Sequence, residues 1–152
     1  MSKLLEGKVA IVTGGAKGLG YGISRALASE GASVLISGRD GATAQAVAAE
    51  IERDFGSKAI GLAGDMGVKE DVLSMVQAAV DSFGGLDILV ANAGIASSAG
   101  IEDTTIALWD RNYEVLAKGY FLTARAAWPL LRATFTGVGP AACTHAWCKT
   151  TS

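Results

Sequence analysis

Hydrophobic residues form short continuous runs that alternate with helically spaced sets, from residue 9 to about residue 132. The continuous runs cover residues 9–12, 34–36, 59–63 and 88–91, and each predicts a buried strand. Strands that are apolar on both sides are typical of a parallel sheet covered on both faces by crossover helices. The pattern therefore predicts an α/β fold built on a doubly wound parallel sheet.

The helically spaced sets predict one buried face for each helix between these strands. The predicted face residues, in chain order, are Leu19, Ile23, Ala26 and Leu27 in the first helix, Ala44, Val47, Ala48, Ile51 and Phe55 in the second, and Val72, Val76, Ala79, Val80 and Phe83 in the third. Gly31, Gly56 and Gly84 follow the three helices as expected terminators. A last helical pattern runs from about residue 106 to about residue 132, and Pro129 is expected to kink or end it.

Composition narrows the class of protein. The 152 residues are 50% hydrophobic and 18% charged, with a net charge of −2, which predicts one ordered domain without an electrostatic case for nucleic acid or an anionic membrane. No apolar run approaches the roughly 20 residues that span a bilayer, and the first eight residues are too short and charged for a signal peptide. We therefore expect a cytoplasmic location.

The cysteines do not predict a metal site. Cys143 and Cys148 flank His145, and no other His or Cys exists in the chain to complete a zinc site. Ordinary reduced thiols are the favoured interpretation.

A glycine turn, Thr13-Gly-Gly-Ala-Lys-Gly-Leu-Gly20, lies between the first strand and the first helix. Its glycines permit a tight turn at Gly14, a close approach of a diphosphate at Gly18 and close helix packing at Gly20, while the helix N-terminus attracts phosphate. The candidate cofactor-binding residues here are Gly14, Ala16, Lys17, Gly18, Leu19 and Gly20. A tight turn without ligand is the alternative, and a P-loop is disfavoured because the Gly-Lys-Ser/Thr ending is absent.

A second motif, Asn92-Ala93-Gly94, follows the fourth strand, at the edge where parallel sheets bind ligands. Its asparagine can tie adjacent strands together, and its two small residues leave room for a ribose. The alternative is a plain Asn-Gly-type turn.

Together with Asp65 after the third strand and Trp109-Asp110 at the head of the last helix, these motifs resemble the short-chain dehydrogenase/reductase family. The resemblance implies a Rossmann-like domain over residues 1–132 that binds NAD(P)(H), in a family that oxidises secondary alcohols or reduces carbonyls. It implies that Asp65 meets the adenine amino group. Further candidate cofactor-binding residues are Asp65, Met66, Asn92, Ala93 and Gly94.

The end of the second strand favours NADP(H) over NAD(H). The position where NAD-binding proteins carry an acidic residue is Gly38, and Arg39 follows it. A guanidinium there, with Lys17, suits a 2′-phosphate. Alternatively, Arg39 and Lys17 are solvated, and Asp40 accepts a ribose hydroxyl.

The family's catalytic residues are not found. The resemblance implies a serine, a Tyr-x-x-x-Lys pair and a helix asparagine, yet Leu116 occupies the asparagine position. Four residues after Tyr21, Tyr113 and Tyr120 stand Arg25, Ala117 and Ala124. The sequence thus predicts no catalytic residue and a protein that binds the cofactor without turning over alone. The alternatives are a non-catalytic nucleotide-binding or dimer-partner module, or an unstable fragment.

Residues 133–152 show neither alternation nor helical periodicity and are expected to form an irregular tail unrelated to the family pattern. The fold would then be truncated after the fourth strand and the long helix, as truncation, a shifted reading frame or altered splicing would produce. The exposed fourth strand and helix predict self-association or aggregation.

Overall fold

Four parallel strands form one sheet in the computed structural model, which describes residues 3–97 and 99–136. The strands are β1 (Val9–Thr13), β2 (Ser33–Gly38), β3 (Ala59–Ala63) and β4 (Ile88–Val90). They lie in the order β3-β2-β1-β4, and Val12 pairs with Ile36 on one side and Val90 on the other. The predicted Rossmann-like parallel sheet is confirmed.

Helices connect the strands and cover both faces of the sheet. They are α1 (Gly18–Ser29), α2 (Gly41–Phe55), α3 (Lys69–Phe83), α4 (Ile106–Tyr113) and α5 (Gly119–Thr136). A π-helical segment, Glu114–Lys118, joins α4 to α5, and we call the three together the long helix. Successive strand residues point to opposite faces, so the core is double. Ile11 and Leu35 pack with α3 and α5, whereas Val34 and Ile36 pack with α1 and α2.

The predicted face of α1 is wrong in part: Ile23 and Leu27 are half-buried and pack against the core, but Leu19 and Ala26 do not. Its buried residues are Gly20, Ser24 and Ala28, whereas Leu19 is 76% exposed and Ala26 is also exposed. The reason is close approach, because a Cβ at Gly20 would overlap the carbonyl oxygen of Gly14. Only small side chains fit where the helix approaches the turn, so apolar spacing misses that part of the buried face.

The faces of α2 and α3 agree well with prediction. Ala44, Val47, Ala48 and Ile51 are buried in α2, and Val72, Val76 and Ala79 in α3. The remaining predicted residues, Phe55, Val80 and Phe83, are half-buried and pack against the cores. Met75 is also buried but was not predicted.

The long helix differs from prediction in two ways. It does not end at Pro129 or near residue 132 but continues to Thr136, and its interruption is the π-helical segment instead. A proline inside a helix removes one hydrogen bond and crowds the carbonyl four residues before it, and burial of Ala126, Ala127 and Leu130 around it offsets that cost. The rest of the expected tail, including Cys143, His145 and Cys148, lies outside the described residues.

β4 forms one edge of the sheet, since among residues 3–97 and 99–136 it pairs with β1 alone. Its three residues are half-buried. No helix in this described part is both long and apolar enough to cross a bilayer.

Candidate functional site

A cavity of about 790 Å³ opens at the carboxyl edge of the sheet. Its wall combines the glycine turn, the end of β2, the loops after β3 and β4, and the start of the long helix. The candidate residues that line it are Gly14, Ala16, Lys17, Leu19, Gly20, Arg39, Asp65, Met66, Asn92, Ala93 and Gly94. Gly18 alone of the candidates is not part of the wall. Residues distant in sequence therefore meet at the edge where such sheets bind ligands.

Backbone geometry explains the glycine turn. Gly14 and Gly18 have φ angles of +65° and +54°, in the region that favours glycine. At Gly14 a Cβ would also lie 2.9 Å from the Cα of Ala93, whereas at Gly18 it would meet nothing within 4 Å. Lys17, at the N-cap of α1, makes no side-chain capping bond. The first amides of α1 therefore have no side-chain cap, and their dipole favours an anion.

Thr13 and Asn92 lock the loops after β1 and β4 together. The Thr13 hydroxyl accepts hydrogen bonds from the amides of Asn92 and Ala93, both at 3.0 Å. The Asn92 side-chain amide donates to the carbonyls of Thr13 at 3.1 Å and Gly14 at 3.3 Å. The predicted tie between strands is present. Sequence reasoning overlooked Thr13 as its other half, although a threonine ending a buried apolar strand was the available signal.

The end of β2 presents one exposed cation and one occupied carboxylate. Arg39 is exposed on the cavity wall, and in the described part of the chain it has no ion-pair partner within 4 Å. Asp40 caps α2, accepting from the Thr43 amide at 3.2 Å and the Thr43 hydroxyl at 2.5 Å. These bonds to Thr43, together with the charge of Lys17, lower the pKa of Asp40. Asp40 is thus engaged in the fold.

Ser37 brings an unpaired hydroxyl to this end of β2. The residue lines the cavity and is only 1% exposed, yet its side-chain oxygen has no hydrogen-bond partner among the described residues. Because a buried polar group without a partner costs free energy, this hydroxyl is a local weakness of the fold. Sequence reasoning did not single it out.

Asp65 forms an ion pair with Arg111 of α4. The Arg111 guanidinium donates to Asp65 Oδ2 at 2.5 Å, and the Gly67 amide donates to Oδ1 at 2.9 Å. Burial alone would raise the pKa of Asp65, but Arg111, the Gly67 amide and the charge of Arg39 together lower it. Arg111 also lines the cavity. The sequence analysis missed Arg111. The available signal was that a half-buried carboxylate such as Asp65 needs a positive charge nearby.

None of the three tyrosines lines the cavity. Tyr21 donates to Glu50 at 2.5 Å, which with burial raises its pKa, while Tyr113 and Tyr120 are exposed. Leu116, at the expected asparagine position, lies beside Gly94, where a Cβ would meet it at 3.4 Å. The nearby Asn112 side chain donates to the Leu108 carbonyl and the Ser97 hydroxyl, both at 2.7 Å.

No group of three or more metal-ligating side chains occurs within residues 3–97 and 99–136. The cavity wall instead offers backbone amides, the three cations Lys17, Arg39 and Arg111, and the two carboxylates Asp40 and Asp65, which accept hydrogen bonds within the chain. This arrangement can hold a phosphorylated ligand.

Comparison with known proteins gives a consistent result. A family model described as short chain dehydrogenase matches residues 8–138. The chain is 40% identical over 128 residues to a versicolorin reductase of Emericella nidulans, covering 84% of this chain and 48% of that protein. It is 39% identical over 127 residues to a D-beta-hydroxybutyrate dehydrogenase of Cupriavidus necator, covering 83% and 48% respectively.

Among solved structures, an L-sorbose reductase from Gluconobacter frateurii, complexed with NADPH and L-sorbose, superposes with a TM-score of 0.83 at 33% identity. The match covers 88% of this chain and 51% of that one. The chain thus spans about half the length of these relatives.

Proposed function

Because this chain belongs to the short-chain dehydrogenase family, we propose that its cavity binds a nicotinamide dinucleotide, with NADP(H) preferred over NAD(H). The observation that carries the proposal is the meeting of the glycine turn with the Asn92 loop at the cavity wall. There the uncapped start of α1 faces a space of about 790 Å³, within the range of cofactor sites. The relative solved with NADPH supports the same ligand class.

The preference for NADP(H) follows from the charges at the end of β2. A 2′-phosphate needs cations, and both Arg39 and Lys17 line the cavity. The alternative is a ribose hydroxyl bound by Asp40, which lines the cavity and whose carboxylate keeps acceptor positions beside its two hydrogen bonds from Thr43. The exposed Arg39 is therefore the residue on which the preference depends.

We further propose that this chain binds the cofactor without turning over alone. The support is the placement of the tyrosines, all away from the cavity wall, and a leucine at the family's asparagine position. The reaction class that the family resemblance implies, carbonyl reduction or secondary-alcohol oxidation, is a proposal for any longer protein of which this sequence is part. A cytoplasmic location stays a prediction from the sequence.

Side-by-side titration tests the binding proposal. NADPH and NADH are titrated against the wild-type chain, Arg39→Ala, and the control Arg53→Ala, which removes the same charge from an exposed position outside the cavity wall. We expect tighter binding of NADPH by wild type and the control, and loss of that preference in Arg39→Ala, since a charge-assisted bond contributes roughly tenfold or more in affinity. Tighter NADH binding by wild type would overturn the preference.

Turnover is tested separately by following NADPH oxidation with a panel of ketones and aldehydes. We expect saturable NADPH binding with no oxidation above background. Oxidation that depends on the carbonyl substrate would show that the chain carries an acid–base group of its own. A chain without a cooperative thermal transition would instead support the unstable-fragment alternative.

A further inference from the structure

The loop of residues 65–67, which follows β3, is docked along the long helix by several contacts. A Cβ added to Gly67 would lie 3.5 Å from the Cβ of Glu114. A Cβ added to Gly119 would lie 3.0 Å from the carbonyl oxygen of Met66. The helical residues that meet the loop, at one side of the helix, are Arg111, Glu114, Gly119 and Thr123. The position of this part of the cavity wall is therefore set by the helix.

The carboxylate of Asp65 is held at both oxygens, by Arg111 at Oδ2 and by the Gly67 amide at Oδ1. Its own backbone amide donates to Asp71 Oδ2 at 2.8 Å. An ionised carboxylate offers about four acceptor positions, so about two remain for a ligand. Since Asp65 lines the cavity, these positions are available to a donor within it.

We propose that Arg111 is a positioning residue of the dinucleotide site, which orients the Asp65 carboxylate to accept a hydrogen bond from an amino group on the ligand's base. This inference rests on the proposed function. A carboxylate held as an acceptor favours a base that presents an amino group, such as adenine, over one that presents a carbonyl there, such as hypoxanthine. Arg111 would thus confer base selectivity without touching the base.

The surrounding charges make the dependence on Arg111 measurable. The charged groups that face Asp65 are Arg111 and Glu114 of the long helix, Arg39 after β2 and Asp71 of α3. Burial raises the pKa of Asp65, and the Arg111 bond is the largest opposing influence. Without Arg111, the pKa of Asp65 rises, so protonation replaces the charged acceptor with a weaker neutral one at a higher pH than in wild type.

The test uses the full chain and the variants Arg111→Met, Arg111→Lys and Arg125→Met. Arg125 is a matched control, because it lies on the same long helix, is exposed and is not part of the cavity wall. Dissociation constants are measured for NADPH and its hypoxanthine analogue from pH 8 down to about pH 5, above the ordinary range of aspartate. Thermal melts report whether each variant is folded.

We expect wild type and Arg125→Met to prefer NADPH over the analogue. Arg111→Met should weaken NADPH binding roughly tenfold, reduce the preference, and lose affinity at higher pH as acid is added. Arg111→Lys keeps the charge without the planar fork and should lie between them. It supplies the measurement if the methionine variant does not fold.

A double-mutant cycle with Asp65→Asn separates positioning from a merely structural role. If Arg111 acts through Asp65, Arg111→Met causes no further loss of base preference when Asp65 is already Asn. Unchanged preference and pH profile in both Arg111 variants, or additive losses in the cycle, would overturn this inference while leaving the proposed function intact. A wild-type chain that binds neither nucleotide would overturn both.

Discussion

The glycine turn and the long helix differ in where their side chains find contacts. At the glycine turn the Thr13 hydroxyl and the Asn92 side chain find their hydrogen-bond partners within the chain, and Thr13 is only 2% exposed. On the long helix large apolar side chains face outward, with Phe121 and Trp128 each 59% exposed. The base of the turn is thus held by contacts within the chain, whereas the helix presents the kind of surface that another molecule covers.

The two regions differ in how closely the local sequence determines the geometry. At Gly14, Gly18 and Gly20 of the turn, the backbone conformation or the close contacts favour glycine over every other residue. The motif therefore predicts the local structure closely. On the helix, large apolar side chains occur both in the core and on the exposed surface, so the pattern alone does not say which face is buried. Each prediction below alters one of these two regions or the boundary between them.

The largest expected effect comes from adding one carbon atom to the turn. Gly20→Ala places a Cβ over the Gly14 carbonyl and 2.5 Å from the Asn92 amide, so we expect destabilisation by about 1–3 kcal/mol and loss of NADPH binding. The control is Gly22→Ala, two residues on in the same helix, where a Cβ meets nothing within 4 Å. That change should stabilise the chain by about 0.5–1 kcal/mol. Chemical denaturation and titration measure both, and equal behaviour would contradict the close-packing account.

The next effect concerns association through the long helix. We predict that the wild-type chain self-associates, and that Phe121→Lys with Trp128→Lys weakens association about tenfold or more, because buried aromatic residues dominate interfaces. Leu4→Lys serves as a control, since Leu4 is 84% exposed but lies far from this helix in the sequence, before β1. Sedimentation velocity over a concentration series measures the change. A wild-type chain that stays monomeric at every concentration would refute the prediction.

A smaller effect arises at the boundary, where Asp65 of the cavity wall pairs with Arg111 of the helix. The pKa of Asp65 is lowered in the folded chain, so its contribution to stability is present above its unfolded pKa of about 3.9 and is lost as pH falls through the folded value. The free energy of unfolding of Asp65→Asn should therefore fall less steeply with decreasing pH than that of wild type. Urea denaturation at a series of pH values checks this, and parallel curves would argue against the ion pair.

Some features of the fold and of the site could be predicted from the sequence, and others could not. The alternation of strands and helices, the glycine turn and the Asn92 link were predictable because they depend on short motifs and on continuous apolar runs. The fully buried residues of α1 were not, because Gly20, Ser24 and Ala28 are buried for their small size rather than for hydrophobicity.

Other features depend on contacts between distant residues. Asp65 and Arg111 are 46 positions apart, and no periodicity marks their pairing. The π-helical segment similarly arises where the long helix passes the loop after β3, and nothing in its sequence, Glu-Val-Leu-Ala-Lys, distinguishes it from an α-helix. Tertiary packing decided both features.

The smallest effect compares two buried serines, one on the cavity wall and one remote from it. Ser37→Ala removes a hydroxyl without a partner among the described residues, so we expect unchanged or slightly greater stability. Ser57→Ala removes a hydroxyl that donates to the Ala28 carbonyl at 2.6 Å, which should cost about 1 kcal/mol. Thermal denaturation compares the two, and a larger loss for Ser37→Ala would show that its hydroxyl has a partner after all.

The most direct measurement of the central claim is an NMR titration of backbone amides with NADPH. If the start of α1 holds the diphosphate of a bound dinucleotide, the amides of Gly18, Leu19 and Gly20 shift strongly and saturably, with smaller shifts at Ala93 and Gly94, while amides at the far end of the same helix, such as Ser29, stay unchanged. Amides of the glycine turn that do not move at millimolar NADPH would contradict the account.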